Sequence, residues 1–177
     1  MKIEDDEKNF NMTGSRDPFA NPFPASDGDR RAIWDMLVER DITAFLAADW
    51  SMVADDFVAD AFLGIDGQKS VSPAGWRLAF PTLESYRDEW LRQARDFAET
   101  TFAEDPRQAI FWTTTLEEIE ISGGAALARK MFDGTIEKAD GTRDVLKWQT
   151  LYHCRFHEGR WKICGFTGYL PNPMEAK

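Results

Sequence analysis

The stretch Tyr152–Phe166, "YHCRFHEGRWKICGF", contains both histidines and both cysteines of the chain. It reads either as a metal or redox cluster or as two strands that happen to use those letters. If Glu158 and Gly159 form a turn, the opposite partners are His157 with Arg160, Phe156 with Trp161, Arg155 with Lys162, Cys154 with Ile163, and His153 with Cys164. One face then carries His153, Arg155, His157, Arg160, Lys162 and Cys164, and the other Tyr152, Cys154, Phe156, Trp161 and Ile163. The two cysteines point to opposite sides. His153 and His157 stand about 13 Å apart along an extended strand, whereas zinc ligands converge to about 2 Å from one ion. No metal site is expected.

What remains is an amphipathic hairpin. Its apolar face extends back through Trp148 and Thr150 and forward through Thr167 and Tyr169, a mixture of aromatics and hydroxyls that suits the wall of a hollow. His153 with Cys164 lies on the outward face beside Leu151 and Phe166, where a contact with another subunit is a better use than nucleophilic catalysis.

The same period of two runs upstream. "FWTTTLEEIEI" (Phe111–Ile121) and "ALARKMF" (Ala126–Phe132) flank Gly123 and Gly124, a two-residue hairpin signal. That turn sets Glu118 opposite Arg129 and Glu117 opposite Lys130. "ADG" at Ala139–Gly141 marks another turn. Before Phe111 the period is helical. Ser26 or Asp27 caps a helix through "RRAIWDMLVERDITAFLAA", in which Trp34, Leu37, Val38, Ile42 and Phe45 share one stripe with Asp41 in its middle. "WSMVADDFVAD" (Trp50–Asp60) reads as a second short helix with Asp55 and Asp56 on its wet face, and "AFLGI" (Ala61–Ile65) as a short strand. Pro81 and the cap Thr82 open a third helix, with Leu83, Tyr86, Trp90, Ala94 and Phe97 on one face. The first 25 residues are a polar arm, extended by the prolines of "DPFANPFP" (Asp17–Pro24). Its Phe19 and Phe23 are expected to dock on the body or on a partner subunit.

Composition bounds the function. A chain of 177 residues suits one domain. The formal charge of -10 argues against nucleic acid and against anionic membrane surfaces, which reward a basic face. No apolar run approaches the roughly 20 residues of a membrane span. The acidic start, "MKIEDDEKNFN", lacks the apolar middle of a leader. A cytoplasmic protein with reduced thiols is the resulting expectation. Seven tryptophans suggest large flat groups lining a core or cavity.

The order of three helices with one early strand, then antiparallel strands ending in "RFHEGRWKI" (Arg155–Ile163), resembles the nuclear transport factor 2-like superfamily. That group includes ketosteroid isomerases, SnoaL-like cyclases, scytalone dehydratase and limonene epoxide hydrolase. "AADWSMVADDFVADAFL" (Ala47–Leu63) is similar to the superfamily's helix, aspartate, helix and strand entry. The resemblance spans about Asp29 to Leu170. It implies an α+β fold, a cone-shaped curved antiparallel sheet wrapped around three N-terminal helices, with residues 1–25 as the arm, 26–172 as the domain and 173–177 as a tail. Laying the isomerase pattern over the chain puts Asp41 where that pattern has a tyrosine and Tyr152 where it has an oxyanion-binding acid. The base position falls on Ile65, next to Asp66.

A carboxylate among apolar neighbours is disfavoured as an anion, so Asp41 facing a cavity would exchange protons near neutral pH. Tyr152 would donate to a substrate carbonyl. Asp66 is the reserve base. Trp34, Phe45, Tyr86, Trp90, Trp112, Trp148, Thr150 and Tyr169 are expected to line the pocket. The expected ligand is a small apolar molecule, with no metal and no cofactor, and the chemistry proton transfer beside a carbonyl. A basic side chain set against Asp41 would remove that framing. The alternatives are a non-catalytic binding module, or an interaction protein whose functional part is the arm. A homodimer is expected through the outer sheet face at Leu151, Phe166 and Leu170.

Overall fold

The computed structural model describes residues 16–173. Residues 1–15 of the expected arm and 174–177 of the expected tail lie outside the described residues. The N-terminal helix runs as α1 (Gly28–Trp34), a π-helical segment (Asp35–Arg40) and α2 (Asp41–Ala47). Asp27 caps its start by accepting from the Arg30 amide, and Ala48 ends it in the left-handed region. "WSMVADDFVAD" is a succession of short 3-10 turns rather than one helix. The reason lies in Asp56, which is 2% exposed and held by Arg40 and Arg160 instead of facing water.

Strands β1 (Leu63–Asp66) and β2 (Arg77–Phe80) precede α3 (Leu83–Glu99). Thr82 and Ser85 form a capping box at the start of α3. Next comes α4 (Pro106–Thr113), with proline in its first turn and Asp105 as its cap. Phe111–Thr113 therefore belong to a helix, and β3 (Thr114–Ser122) starts three residues later than the alternation suggested. β4 (Ala125–Glu137), β5 (Arg143–His157) and β6 (Arg160–Leu170) complete the sheet. The strand order is β2-β1-β6-β5-β4-β3. The sheet is curved and unclosed, and β1 runs parallel to β6, so it is not antiparallel throughout.

Both hairpin turns fall where expected, with Ser122 opposite Ala125 and His157 opposite Arg160. Bulges then change the register. Between Thr115 and Glu118 the β3–β4 ladder shifts, so Glu118 faces Arg129 as expected but Glu117 is not the partner of Lys130. In β6 the extra residue is Cys164: Cys154 pairs with Ile163, and His153 with Gly165. Gly165 is required there, because a Cβ would lie 2.4 Å from the Leu63 carbonyl oxygen of the parallel neighbour. Beyond that bulge the side chains swap faces. Phe166, expected outside at a subunit contact, is 3% exposed on the inner face, its ring 4.9 Å from that of Tyr86. Thr167, opposite Leu151, takes the other face. A second shift near Gly168 returns Tyr169 inward, with φ of 51°.

The arm docks on the body. Arg16 donates to the carbonyls of Phe111, Trp112 and Thr114 at the end of α4, and Phe19 packs on Phe111. Asp17 and Asn21 accept from backbone amides two residues on, and Phe23 packs against the core. The polar residues and phenylalanines of this stretch are thus used for local turns and docking. Among the described residues no helix is long and apolar enough to cross a membrane.

Candidate functional site

Between the helices and the inner face of the sheet lies a cavity of about 510 Å³. That is within the usual range for a small-molecule site. One wall comes from β4–β6, where Phe132, Trp148 and Tyr169 form a row with ring centroids 4.7 and 5.6 Å apart and planes tilted by only 31° and 34°. The facing wall comes from α2 and α3, where Phe45 meets Trp90 edge-on and leans on Phe97. Aromatic rings on both walls leave between them a slot lined largely by apolar surface, which suits a flat, ring-bearing molecule.

The inner end of the slot is polar. Asp41 opens α2 and turns its carboxylate into the cavity, where Lys130 Nζ donates to Oδ2 at 2.8 Å. Trp90 Nε1 donates more weakly to Oδ1, at 3.4 Å. Lys130 is 1% exposed and Asp41 26%. The π-helical segment explains how so buried an ammonium is accommodated. The Asp41 amide donates to the Val38 carbonyl, and the Leu37 carbonyl, its partner in a regular helix, accepts from Lys130 Nζ instead. Asp41 is thus not a lone carboxylate among apolar groups: a basic side chain compensates its charge. The expectation built on an isolated Asp41 is overturned.

Tyr152 and Tyr86 also line this end. Burial pushes both phenols well above their ordinary range, and Asp41 nearby adds to it; Tyr86 also feels Tyr152. Such phenols stay protonated at neutral pH. Among the described residues neither hydroxyl has a protein partner, whereas Tyr169 is tied to Gln93. Burial raises Tyr169 too, partly offset by that bond. Thr150 adds a buried hydroxyl beside Tyr152. At the mouth, Asp96 is held by Arg92 and Asp144 by Lys138.

Of the expected site residues, Asp41, Tyr152, Phe45, Tyr86, Trp90, Trp148, Thr150 and Tyr169 line the cavity. Three do not. Trp34 is buried in the core, because it sits about two helical turns before Asp41 and so at the far end of the helix from the cavity. Trp112 is 44% exposed on the outside of α4, beneath Arg16, since a helix sends it outward where a strand would not. Asp66 ends β1 and turns its carboxylate back to accept from the Gln68 amide at 2.7 Å, capping the loop. Lys130 was missed. The signal was present in the alternation Ala126, Ala128, Lys130, Phe132, whose first two members are buried on the inner face.

The outward assignment of His153 and Cys164 holds in part: Cys164 is half-buried, and its thiol donates to the His153 carbonyl rather than meeting the imidazole. Cys154 is buried on the inner side.

Neither a protein-family model nor a curated protein matches the sequence. Solved structures do. A domain of unknown function with a cystatin-like fold from Nostoc punctiforme superposes with a TM-score of 0.55 at 12% identity, covering 86% of this chain and 82% of its own. A nuclear transport factor 2-like superfamily protein from Salmonella enterica gives 0.54 at 15% identity, covering 86% and 100%. A nuclear transport factor 2-like protein of unknown function from Pseudomonas putida gives 0.51 at 16%, covering 81% and 87%. Identities this low carry the architecture and no chemistry. The helices, the curved six-stranded sheet and these superpositions together establish that the chain has the nuclear transport factor 2-like, cystatin-like α+β fold.

Proposed function

We propose that this chain is a small-molecule enzyme that admits a flat, largely apolar carbonyl compound and moves a proton at the carbon beside the carbonyl, in the manner of an isomerase, cyclase or dehydratase. The observation that carries the reading is the convergence of Asp41 and two unpartnered neutral phenols, Tyr86 and Tyr152, on one aromatic cavity. Asp41 is the base. Lys130 holds Oδ2, which leaves acceptor capacity on the carboxylate for a C–H proton. As the proton arrives at Asp41, negative charge moves to the substrate oxygen. The phenols donate to that oxygen, and the Lys130 ammonium remains nearby to balance it.

A second reading, a binding module without chemistry, is favoured by one fact: Lys130 already engages the carboxylate. Exchange of the α-protons of 2-tetralone in D₂O, followed by proton NMR, separates the two. The enzyme reading expects acceleration over buffer, a loss on the order of 10²-fold in Asp41→Asn, and a smaller loss in Tyr152→Phe. Tryptophan quenching by 2-tetralone without accelerated exchange leaves the binding module. Absence of both removes the cavity as a site for such compounds.

A further inference from the structure

Two ammonium groups lie against the aromatic row Phe132–Trp148–Tyr169. At the inner end, Lys130 Nζ stands 5.2 Å from the centre of the Phe132 ring, and its charge is balanced by Asp41. At the middle ring of the row, Lys69 Nζ stands 5.0 Å from the centre of Trp148. Lys69 is exposed, comes from the loop between β1 and β2, and does not itself line the cavity. Among the described residues no carboxylate pairs with it, while the acids at the mouth, Asp96 and Asp144, are engaged by Arg92 and Lys138. In a chain of net charge -10, a cation left on an aromatic face beside a cavity is unusual.

The backbone supports it at a cost. Gln68 and Lys69 both have positive φ, 53° and 54°, as does Tyr169 at 51°. The Lys69 amide donates to the Tyr169 carbonyl at 2.6 Å, and Asp66 caps the loop through the Gln68 amide. Three non-glycine residues in the left-handed region are thus locked together where the loop meets the cavity wall. Such strain persists where surrounding structure enforces it, and it tends to collect at ligand clamps.

We propose that Lys69 is a ligand-binding residue and that the molecule taken by the slot is a planar aromatic or polycyclic acid, its carboxylate turned outward to Lys69 and its rings on Trp148. This rests on the reading of the slot as a site for flat apolar molecules, and adds the charge. The lysine gives up its contact with the indole face for a charge-assisted hydrogen bond, which is the stronger interaction. The inner end, neutral as a pair, makes no such demand.

The test compares 2-naphthoate with its uncharged analogue 2-acetonaphthone, by calorimetry at low ionic strength, on the wild-type protein and on Lys69→Met and Lys69→Arg. The expected result is tighter binding of 2-naphthoate by on the order of 10-fold, shrinking as salt is added, lost in Lys69→Met and largely kept in Lys69→Arg. Equal affinity for the two probes, or a preference that survives Lys69→Met, overturns the assignment of Lys69 while leaving the slot as a site for flat molecules. If neither probe binds, the slot reading falls and the Lys69 assignment falls with it.

Discussion

The pair Asp41–Lys130 carries a prediction whose size depends on which member is removed. Asp41→Asn leaves an ammonium that is 1% exposed with the Leu37 carbonyl and a neutral amide for company. Stranding one member of a buried pair typically costs about 3–5 kcal/mol. Asp41 is 26% exposed toward the cavity, so some water screens the pair and a cost of about 2–3 kcal/mol is expected. Lys130→Met removes the buried charge and keeps a side chain of similar length. The carboxylate it leaves behind can be hydrated from the cavity, and the main loss is the donor to Leu37, about 1 kcal/mol. The double variant should resemble Lys130→Met, giving a coupling of about 2 kcal/mol. Urea unfolding followed by tryptophan fluorescence and circular dichroism measures all four corners, with Tm falling by roughly 5–10 °C in Asp41→Asn. A smaller cost for Asp41→Asn than for Lys130→Met, or additive effects, would show that Lys130 finds another partner and that the inner end is not built as described.

Two further predictions concern the sheet. Burial pushes the Cys154 thiol up to about 12, with Cys164 nearby contributing, and raises Cys164 less, so iodoacetamide at pH 8 should label Cys164 first and Cys154 only on unfolding, as read by peptide mass spectrometry. The outer sheet face is proposed as a homodimer contact through half-buried Leu151 and Leu170, with Phe166 no longer part of it. Leu151→Asp should then lower the sedimenting mass to that of one chain, and a variant with the same mass as wild type removes the interface.

Local pattern determined a good deal of this protein. Gly123–Gly124 and Glu158–Gly159 placed the two tight turns, because two-residue hairpins need those residues and the ladder then follows outward from them. Thr82 and Asp27 marked helix starts because their side chains satisfy amides that nothing else can reach. The helical stripe brought Asp41 and Phe45, and the β5 alternation Trp148, Thr150 and Tyr152, to a common hollow.

Tertiary structure decided the rest, wherever one residue of slippage changes a face. The bulge at Cys164 exists because β1 passes so close that only Gly165 fits, a contact between segments about a hundred residues apart, and it turned Phe166 inward. The shift near Glu117 separated that residue from Lys130, and only the π-helical segment supplies the carbonyl that lets this lysine be buried beside Asp41. Alternation is a local rule with a period of two, and a single extra residue reverses it; where that residue is inserted depends on what the neighbouring strand brings alongside.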